Sequence, residues 1–196
     1  MRDLLYPLDP APLYPRPSIE RPGNPRIPRG EMIPLIEPSG LVIGQAKRSW
    51  FHEGSRALHP VVHLHLIDRF GRIYLQKRSE QKDFLPGYWD TAVGGHISYG
   101  EHPEEALYRE AAEELGLHAF LPVLLDSYLF ESEREREWVF VYAVTGHPEL
   151  APDNAEVSEG KWWTQEELDA VWGKNVLTPQ FESEFLRIRE RLLALL

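Results

Sequence analysis

The segment 95–117 limits the folds open to this chain more than any other part of the sequence. Pro103 stands where the first turn of a helix tolerates proline, and Gly116 stands where a helix commonly ends in the left-handed conformation. The apolar residues between them recur at every fourth position, as Leu107, Ala111 and Leu115. This spacing predicts a helix over residues 103–115 that packs one face against a sheet.

Three glutamates of the predicted helix, Glu110, Glu113 and Glu114, share one face because residues three and four apart are neighbours on a helix. Like charges side by side repel each other, so a cation must offset them. Carboxylate oxygens favour Mg²⁺ or Mn²⁺. A bare Glu-x-x-Glu-Glu pattern is also typical of a solvated helix face, on which Arg109 would pair with Glu113.

Composition limits the class of protein. The chain has 196 residues, of which 42% are hydrophobic, so one domain with an appended segment can form a core without disulfides. It has no cysteine, which excludes disulfide scaffolds and cysteine nucleophiles and fits a reducing cytoplasm. The formal net charge is -10, and no long basic or apolar run appears. We therefore expect a cytoplasmic protein that binds neither nucleic acid nor a membrane.

The N-terminal segment differs from the rest of the chain in its proline content. Residues 1–38 hold ten of the 17 prolines, which fix φ and remove backbone donors. We expect a proline-rich arm over residues 1–30, ahead of a domain over residues 31–196. The arm would pack on the domain or on a second subunit of a homodimer, and a polyproline segment for another partner is the alternative.

From residue 31 the apolar pattern indicates strands separated by turn residues. We expect strands near 32–36, 41–46, 61–68, 72–77, 91–93, 122–130, 138–145 and 157–163. Thr164 and Glu167 predict a capping box at the start of one helix, and Thr178 precedes a last helix over 180–195. Strands with few intervening helices indicate an α+β fold around a mixed sheet.

The segment 95–117 resembles the Nudix box at each of its defined positions. These are filled by Gly95, Glu101, Arg109, Glu110, Ala111, Glu113, Glu114, Gly116 and Leu117. The resemblance implies the Nudix α/β/α sandwich with a mixed β-sheet over roughly residues 30–175. It also implies a metal-dependent hydrolase that cleaves a diphosphate linkage in a small molecule.

The resemblance assigns roles to residues of this box. It implies that Glu110, Glu113 and Glu114 hold Mg²⁺ or Mn²⁺. Glu101 would order the loop before the helix, and Arg109 would form a structural ion pair.

Two basic residues upstream of the box, Arg78 and Lys82, resemble those that precede many Nudix boxes. An acidic protein needs local cations for an anionic substrate, and the planar fork of arginine and the point charge of lysine both suit phosphate oxygens. We expect both to bind the substrate diphosphate. For the general base we rank Glu114 or Glu113 first, with Glu156 and Glu159 as alternatives.

Within this superfamily, the chain looks most like the isopentenyl-diphosphate isomerase branch. His52 and His59 are seven residues apart before a strand, like that branch's metal-binding pair, and His96 stands at its third histidine. Glu156, with Asn154 two residues earlier, stands where the branch has an acidic pair. The resemblance implies a second site at these histidines, for which manganese or zinc is favoured over magnesium.

Two departures separate the chain from that branch. The isomerase needs a cysteine where this chain has Gly94, and its Nudix box is degraded whereas this one is complete. We therefore expect an isomerase-like scaffold that acts as a hydrolase on a nucleoside, prenyl, thiamin or sugar diphosphate. Isomerisation of an isoprenoid diphosphate and ligand sensing without turnover remain alternatives. We expect His63 and His65 to serve packing or hydrogen bonding, and residues 131–137 to form a solvated hairpin tip.

Overall fold

The computed structural model of this chain describes residues 31–82, 84–152 and 157–196. The expected arm over residues 1–30 and the candidates Asn154 and Glu156 lie outside them. The strands are β1 (Met32–Ile36), β2 (Val42–Lys47), β3 (Leu58–Ile67), β4 (Ile73–Arg78), β5 (Trp89–Asp90), β6 (Val93–His96), β7 (Val123–Glu131), β8 (Arg136–Thr145) and β9 (Val157–Trp163). The helices are α1 (Arg48–Trp50), α2 (Pro103–Leu115), α3 (Gln165–Val171) and α4 (Pro179–Leu193).

The strands form two sheets. One is the antiparallel pair β1 and β2, and the other has seven strands, with the order β5-β4-β3-β8-β7, β6 beside β3 and β9 beside β4. The predicted α+β class is confirmed, because long strands dominate and helices follow them rather than alternate with them. No helix among the described residues is both long enough and apolar enough to cross a membrane.

The chain divides into two compact units. The first contains the described residues up to Val61 together with 96–106 and 128–139, and the second contains 62–95, 107–127 and 140–196. In the first, the β1–β2 hairpin buries Ile33. It is followed by α1 and a π-helical turn over Phe51–Ser55, for which the sequence pattern indicated no element.

The second unit contains the buried face of α2. Leu107, Ala111 and Leu115 are completely buried there, as their spacing predicted. The helix ends at Gly116, whose φ of 63° is left-handed, and the N–H of Leu117 donates to the carbonyl of Ala111. The predicted helix 103–115 is therefore confirmed at both ends.

The capping signals of the other two helices in this unit are also confirmed. The Thr164 side chain accepts a hydrogen bond from the Glu167 N–H, and the Glu167 side chain accepts one from the Thr164 N–H. Thr178 caps α4 in the same way by accepting from the N–H of Phe181 at 3.1 Å.

The prediction of one strand over residues 91–93 is wrong. Two short strands flank Thr91 and Ala92 instead. The Asp90 carboxylate accepts the N–H of Thr91 at 2.9 Å, and the Thr91 hydroxyl donates to the carbonyl of Leu64 at 2.8 Å. These side-chain bonds interrupt the strand, because they take the place of ladder hydrogen bonds.

Candidate functional site

The three glutamates Glu110, Glu113 and Glu114, hereafter the carboxylate cluster, differ in their surroundings on α2. The Glu114 side chain is buried, and its Oε2 accepts hydrogen bonds from the Gly94 N–H at 3.3 Å and from Gln76 Nε2 at 3.0 Å. The Glu110 side chain is 13% exposed and that of Glu113 is 62% exposed. One carboxylate is thus anchored, while another reaches solvent.

Gly95 allows α2 to lie unusually close to β6. A Cβ atom at this position would stand 2.1 Å from the Glu110 Cδ and 2.4 Å from its Oε1. No residue with a side chain fits there unless Glu110 moves. The first glycine of the box is therefore required by the contact with the first glutamate of the cluster.

Arg109 supplies a positive charge to the cluster. Its Nη1 donates to Glu110 Oε1 at 2.6 Å and to Glu113 Oε2 at 3.4 Å. The pairing between Arg109 and Glu113 that the helical spacing suggested is therefore present. The guanidinium offsets part of the repulsion among the three carboxylates.

Glu101 belongs to the first unit, in the loop between β6 and α2. Its N–H donates to the Ser98 carbonyl at 2.9 Å, and its Oε2 accepts the Ser98 N–H at 3.0 Å. Gly100 completes this turn with a left-handed φ of 86°. These two hydrogen bonds close the turn between Ser98 and Glu101. The loop-ordering role that the resemblance implied for Glu101 stays a prediction.

Arg78 lies at the end of β4, two residues after Gln76. Because alternate residues of a strand face the same side, its side chain leaves the sheet on the side of Gln76, which contacts Glu114. The Arg78 Nη1 donates to Asp90 Oδ2 at 3.3 Å, and its Nε donates to the Phe84 carbonyl at 3.1 Å. Asp90 therefore orients a guanidinium that keeps further donors.

Lys82 lies in the loop after β4. Its N–H donates to the Ser79 carbonyl at 3.1 Å, and its side chain is partly exposed. Glu159, a further candidate for the base, is exposed on β9 opposite Lys77.

Three histidines of the first unit come together with two acidic residues. The ring centroid of His96 lies 5.1 Å from that of His52 and 5.4 Å from that of His59. The centroids of His52 and His59 are 6.4 Å apart. Glu135 Oε1 is 2.6 Å from His52 Nδ1, and Glu137 Oε1 is 4.0 Å from His59 Nε2. We call these five residues the histidine cluster.

The hydrogen bonds of this cluster fix which ring nitrogens carry protons. The Nδ1–H of His59 donates to the Ala57 carbonyl at 3.0 Å, and burial lowers the pKa of His59, so the ring is neutral with a lone pair on Nε2. His52 donates from Nδ1 to Glu135, and this hydrogen bond lowers the pKa of that carboxyl. Among the described residues, Nε2 of His52 and Nε2 of His59 are buried without a hydrogen-bond partner.

The interpretation of residues 131–137 as a solvated hairpin tip is wrong for Glu135 and Glu137. Glu135 bonds His52, and Glu137 is 7% exposed. A signal for Glu137 was present in the sequence, because it shares the inward register of β8 with Val139, two residues later. Glu135 had no such local signal.

Neither cluster is preformed for an ion. Within residues 31–82, 84–152 and 157–196, no group of three or more His, Asp and Glu side chains stands ready to hold a metal. In the carboxylate cluster Arg109 occupies oxygen atoms of two glutamates. Metal binding at the carboxylate cluster would therefore displace Arg109 from these oxygen atoms.

Comparison with known proteins gives concordant matches. A family model described as the NUDIX domain matches residues 57–181. The chain is 34% identical over 148 residues to the uncharacterized Nudix hydrolase YfcD of Escherichia coli (strain K12), covering 74% of this chain and 80% of that protein. It is 36% identical over 143 residues to an isopentenyl-diphosphate Delta-isomerase of Leifsonia xyli subsp. xyli, covering 69% of this chain and 77% of that protein.

Solved structures show the same fold. DR0079 from Deinococcus radiodurans superposes with a TM-score of 0.70 at 26% identity, covering 81% of this chain and 99% of that one. The Nudix domain of Shewanella oneidensis NrtR, solved in complex with ADP ribose, gives a TM-score of 0.55 at 22% identity, covering 68% of this chain and 87% of that one. The predicted α+β fold with a mixed sheet is confirmed by these neighbours.

Proposed function

This chain belongs to the Nudix family, and from that membership we propose that it is a metal-dependent hydrolase that cleaves a diphosphate linkage in a small molecule. The observation that carries the proposal is the carboxylate cluster, in which Glu110 and Glu114 are held against Gly95 and Gly94. The substrate classes that we propose are nucleoside, prenyl, thiamin and sugar diphosphates.

The donor set of the carboxylate cluster fits a hard divalent cation. Glu110, Glu113 and Glu114 offer oxygen atoms from one helical face, and a bound cation would replace Arg109 as the partner of Glu110 and Glu113. We propose that they hold Mg²⁺ or Mn²⁺, both of which favour carboxylate oxygens. When bound, the ion would offset the charge of the phosphate oxygens and lower the pKa of the attacking water.

We assign the general base to Glu113 ahead of Glu114. The Glu113 carboxylate is 62% exposed and reaches water, whereas Glu114 is buried under two hydrogen-bond donors. Glu113 would take a proton from the water that attacks phosphorus. The bond from phosphorus to the bridging oxygen would break, and the departing phosphate would keep its electron pair. Glu156 and Glu159 remain the other candidates.

Arg78 and Lys82 are proposed to bind the phosphate oxygens that the cation does not. The bond from Arg78 to Asp90 fixes the plane of the guanidinium, which leaves its remaining N–H donors for a substrate. Lys82 would add a positive charge in the loop that follows. The net charge of -10 makes such local cations necessary for an anionic substrate.

The histidine cluster is proposed as a second metal site. The Nε2 atoms of His52 and His59 suit a cation, because each ring is oriented by a hydrogen bond at Nδ1. His96 and Glu137 would complete the donor set, while Glu135 orients His52. Three imidazoles favour manganese or zinc over magnesium.

A panel of nucleoside, prenyl, thiamin and sugar diphosphates, incubated with Mg²⁺ or Mn²⁺ and followed by phosphate release, tests the proposal. We expect turnover on at least one class and its loss in Glu114→Gln, with substrate binding retained. Glu104→Gln, on the exposed side of the same helix, is the matched control and should keep turnover. Equal turnover in wild type and Glu114→Gln would contradict the proposal that Glu114 holds the catalytic cation.

Isomerisation of an isoprenoid diphosphate is a second candidate. It is favoured by the similarity to the isomerase of Leifsonia xyli and by the histidine cluster. The absence of cysteine, with Gly94 at the position that the resemblance assigns to it, weighs against it. Incubation with isopentenyl diphosphate and analysis of the products distinguishes the two activities. An allylic diphosphate would indicate isomerisation, and released phosphate would indicate hydrolysis. Binding of a diphosphate without any turnover across the panel would instead indicate a ligand-sensing domain.

A further inference from the structure

An open pocket of about 560 Å³ lies in the second unit, among residues to which the proposed chemistry assigns no part. Tyr74 of β4 and Gly160 of β9 line it from the sheet, and His147, Glu149 and Leu150 line it from the segment after β8. Small-molecule sites usually enclose about 300–1,000 Å³. The pocket is therefore large enough for the part of a substrate that lies beyond its diphosphate.

The floor of this pocket carries the Tyr74 hydroxyl group. A Cβ atom at Gly160 would stand 1.7 Å from the hydroxyl oxygen, so this oxygen lies over a glycine that is itself exposed. Tyr74 is 4% exposed, and in the part of the chain that the structure describes its hydroxyl has no hydrogen-bond partner. Burial raises the pKa of Tyr74, so the hydroxyl stays protonated and can donate. Buried tyrosine hydroxyls usually bond a partner, and a ligand in the pocket would supply one.

Stacked rings form one wall of the pocket. The His147 ring lies on that of Trp162, with centroids 4.6 Å apart and planes inclined by 21°. Tyr74 meets the same Trp162 ring edge-on at 5.5 Å. His147 is exposed and lines the pocket, so the ring face that Trp162 leaves uncovered can stack on a planar group.

The pocket lies on the same face of the sheet as the carboxylate cluster. Tyr74 and Gln76 are two residues apart on β4, so their side chains share a face, and Gln76 Nε2 donates to Glu114 Oε2 at 3.0 Å. Gly160, which lies under the Tyr74 hydroxyl, is the register partner of Gln76 on the neighbouring strand. Neighbouring strands are about 5 Å apart. The floor of the pocket is thus one strand away from the residue that anchors Glu114.

The segment that lines the pocket also packs on the C-terminal end of α2. The N–H of Ala151 donates to the carbonyl of Leu115 at 2.8 Å, and a Cβ atom at Gly116 would lie 3.2 Å from the Ala151 Cβ. Leu115 directly follows Glu114 in the helix. A ligand can therefore extend from the pocket to the carboxylate cluster along one face of the sheet.

We propose that this pocket binds a planar nitrogen heterocycle of the substrate, either a nucleobase or the aminopyrimidine of thiamin. His147 would stack on the ring, and the Tyr74 hydroxyl and the Glu149 carboxylate would form hydrogen bonds with its polar edge. A prenyl chain offers no polar group to Tyr74, and a sugar offers no planar face to His147. No bond is made or broken in this contact. The inference rests on the proposed hydrolase function and narrows its substrates to the nucleoside and thiamin classes.

The first test measures binding without turnover. The α,β-methylene analogues of ADP, GDP, CDP, UDP and thiamin diphosphate resist hydrolysis, and methylenediphosphonate is the same group without a ring. Each is titrated into the full chain with Mg²⁺ by calorimetry. We expect at least one analogue to bind about tenfold more tightly than methylenediphosphonate, as for one stacked ring, and the preferred analogue identifies the heterocycle. If none binds more tightly, the proposal is overturned.

Two variants locate the bound ring. His147→Ala removes the stacking face and Tyr74→Phe removes the hydroxyl. Each should raise the Kd of the preferred analogue about five- to tenfold and leave that of methylenediphosphonate unchanged. The matched controls are His118→Ala, at an exposed position beyond α2, and Tyr108→Phe, whose lost hydroxyl bonds the Phe120 carbonyl. An unchanged Kd in His147→Ala, or an equal rise for both probes, overturns the proposal.

A spectroscopic test uses the wild-type chain. On addition of the preferred analogue, the Cε1–H resonance of His147 should shift through the ring current of the stacked heterocycle, whereas methylenediphosphonate should leave it in place. The His118 resonance should respond to neither probe. A His147 resonance that responds to neither probe, or equally to both, overturns the proposal. This measurement remains decisive if His147→Ala or Tyr74→Phe does not fold.

Kinetics distinguish a failure of this inference from a failure of the proposed function. Should Glu114→Gln lose turnover while His147→Ala and Tyr74→Phe keep the wild-type KM, the hydrolase stands and the role of the pocket falls. If the wild type turns over no diphosphate, the hydrolase falls. The calorimetric and spectroscopic results then still decide whether the pocket binds a heterocycle.

Discussion

The Glu110 carboxyl group occupies the space that a Cβ atom at Gly95 would need, since such an atom would stand 2.1 Å from the carboxyl carbon. The same stretch of backbone carries Gly94, whose N–H bonds Glu114. Two of the three glutamates are therefore positioned by adjacent glycines. The geometry of the carboxylate cluster depends on this backbone as much as on the helix.

Gly95→Ala is predicted to abolish this arrangement. The methyl group would displace Glu110, so we expect kcat to fall at least about a hundredfold, because a small misplacement of a reacting group is costly. Diphosphate hydrolysis with Mn²⁺ measures the effect. Gly44→Ala is the control, since its nearest neighbour beyond the adjacent residues is 4.0 Å away. Wild-type kcat in Gly95→Ala would mean that the Glu110 contact has no part in the reaction.

Glu137→Gln is predicted to weaken metal binding at the histidine cluster. Glu137 Oε1 lies 4.0 Å from His59 Nε2, the ring nitrogen that carries the lone pair. The negative charge of Glu137 is needed to balance a buried cation. We expect the affinity for Mn²⁺ or Zn²⁺ to fall by about ten- to a hundredfold in calorimetric titrations. Glu133→Gln, exposed in the same hairpin, is the control. Equal affinities in the two variants would remove Glu137 from the site.

Stability is predicted to fall in acid through Glu184. Burial raises the pKa of Glu184, but the charge of the neighbouring imidazoles of His63 and His65 and their hydrogen bonds hold this pKa in the folded protein well below the usual range of a glutamate. The unfolded chain therefore binds the proton first as the pH falls. The stabilisation from this carboxylate is fully present above the unfolded pKa and is lost below it, at up to about 1.4 kcal/mol per pH unit for one proton. Denaturant unfolding from pH 6 to pH 3 should show a shallower decline in Glu184→Gln. Parallel declines would show that another group controls acid unfolding.

Gly160→Ala is predicted to destabilise the pairing of β4 and β9. A Cβ atom at Gly160 would stand 1.7 Å from the Tyr74 hydroxyl oxygen, so one of the two must move. We expect a loss of about 1–3 kcal/mol in the free energy of unfolding, the usual cost of overpacking. Tyr74→Phe in the same chain should recover part of that loss, because it removes the clashing oxygen. A double variant no more stable than Gly160→Ala would indicate that the clash is relieved elsewhere.

Local patterns predicted the parts of the fold that depend on nearby residues. Pro103, Gly116 and the apolar spacing between them predicted α2 correctly, because helix ends and faces depend on residues within a turn or two. The strand expected at 91–93 failed, since Asp90 and Thr91 bond elsewhere through their side chains. The competition between side-chain and ladder hydrogen bonds is not visible in apolar periodicity.

The sequence by itself determined the family, the helix with its three glutamates and the cationic residues ahead of it. Tertiary structure alone decided that Glu135 bonds His52, 83 residues away, and that Glu184 bonds His63, 121 residues away. The physical reason is that periodicity and capping record interactions over a few residues, whereas these pairs form when distant segments pack and their polar groups must satisfy one another.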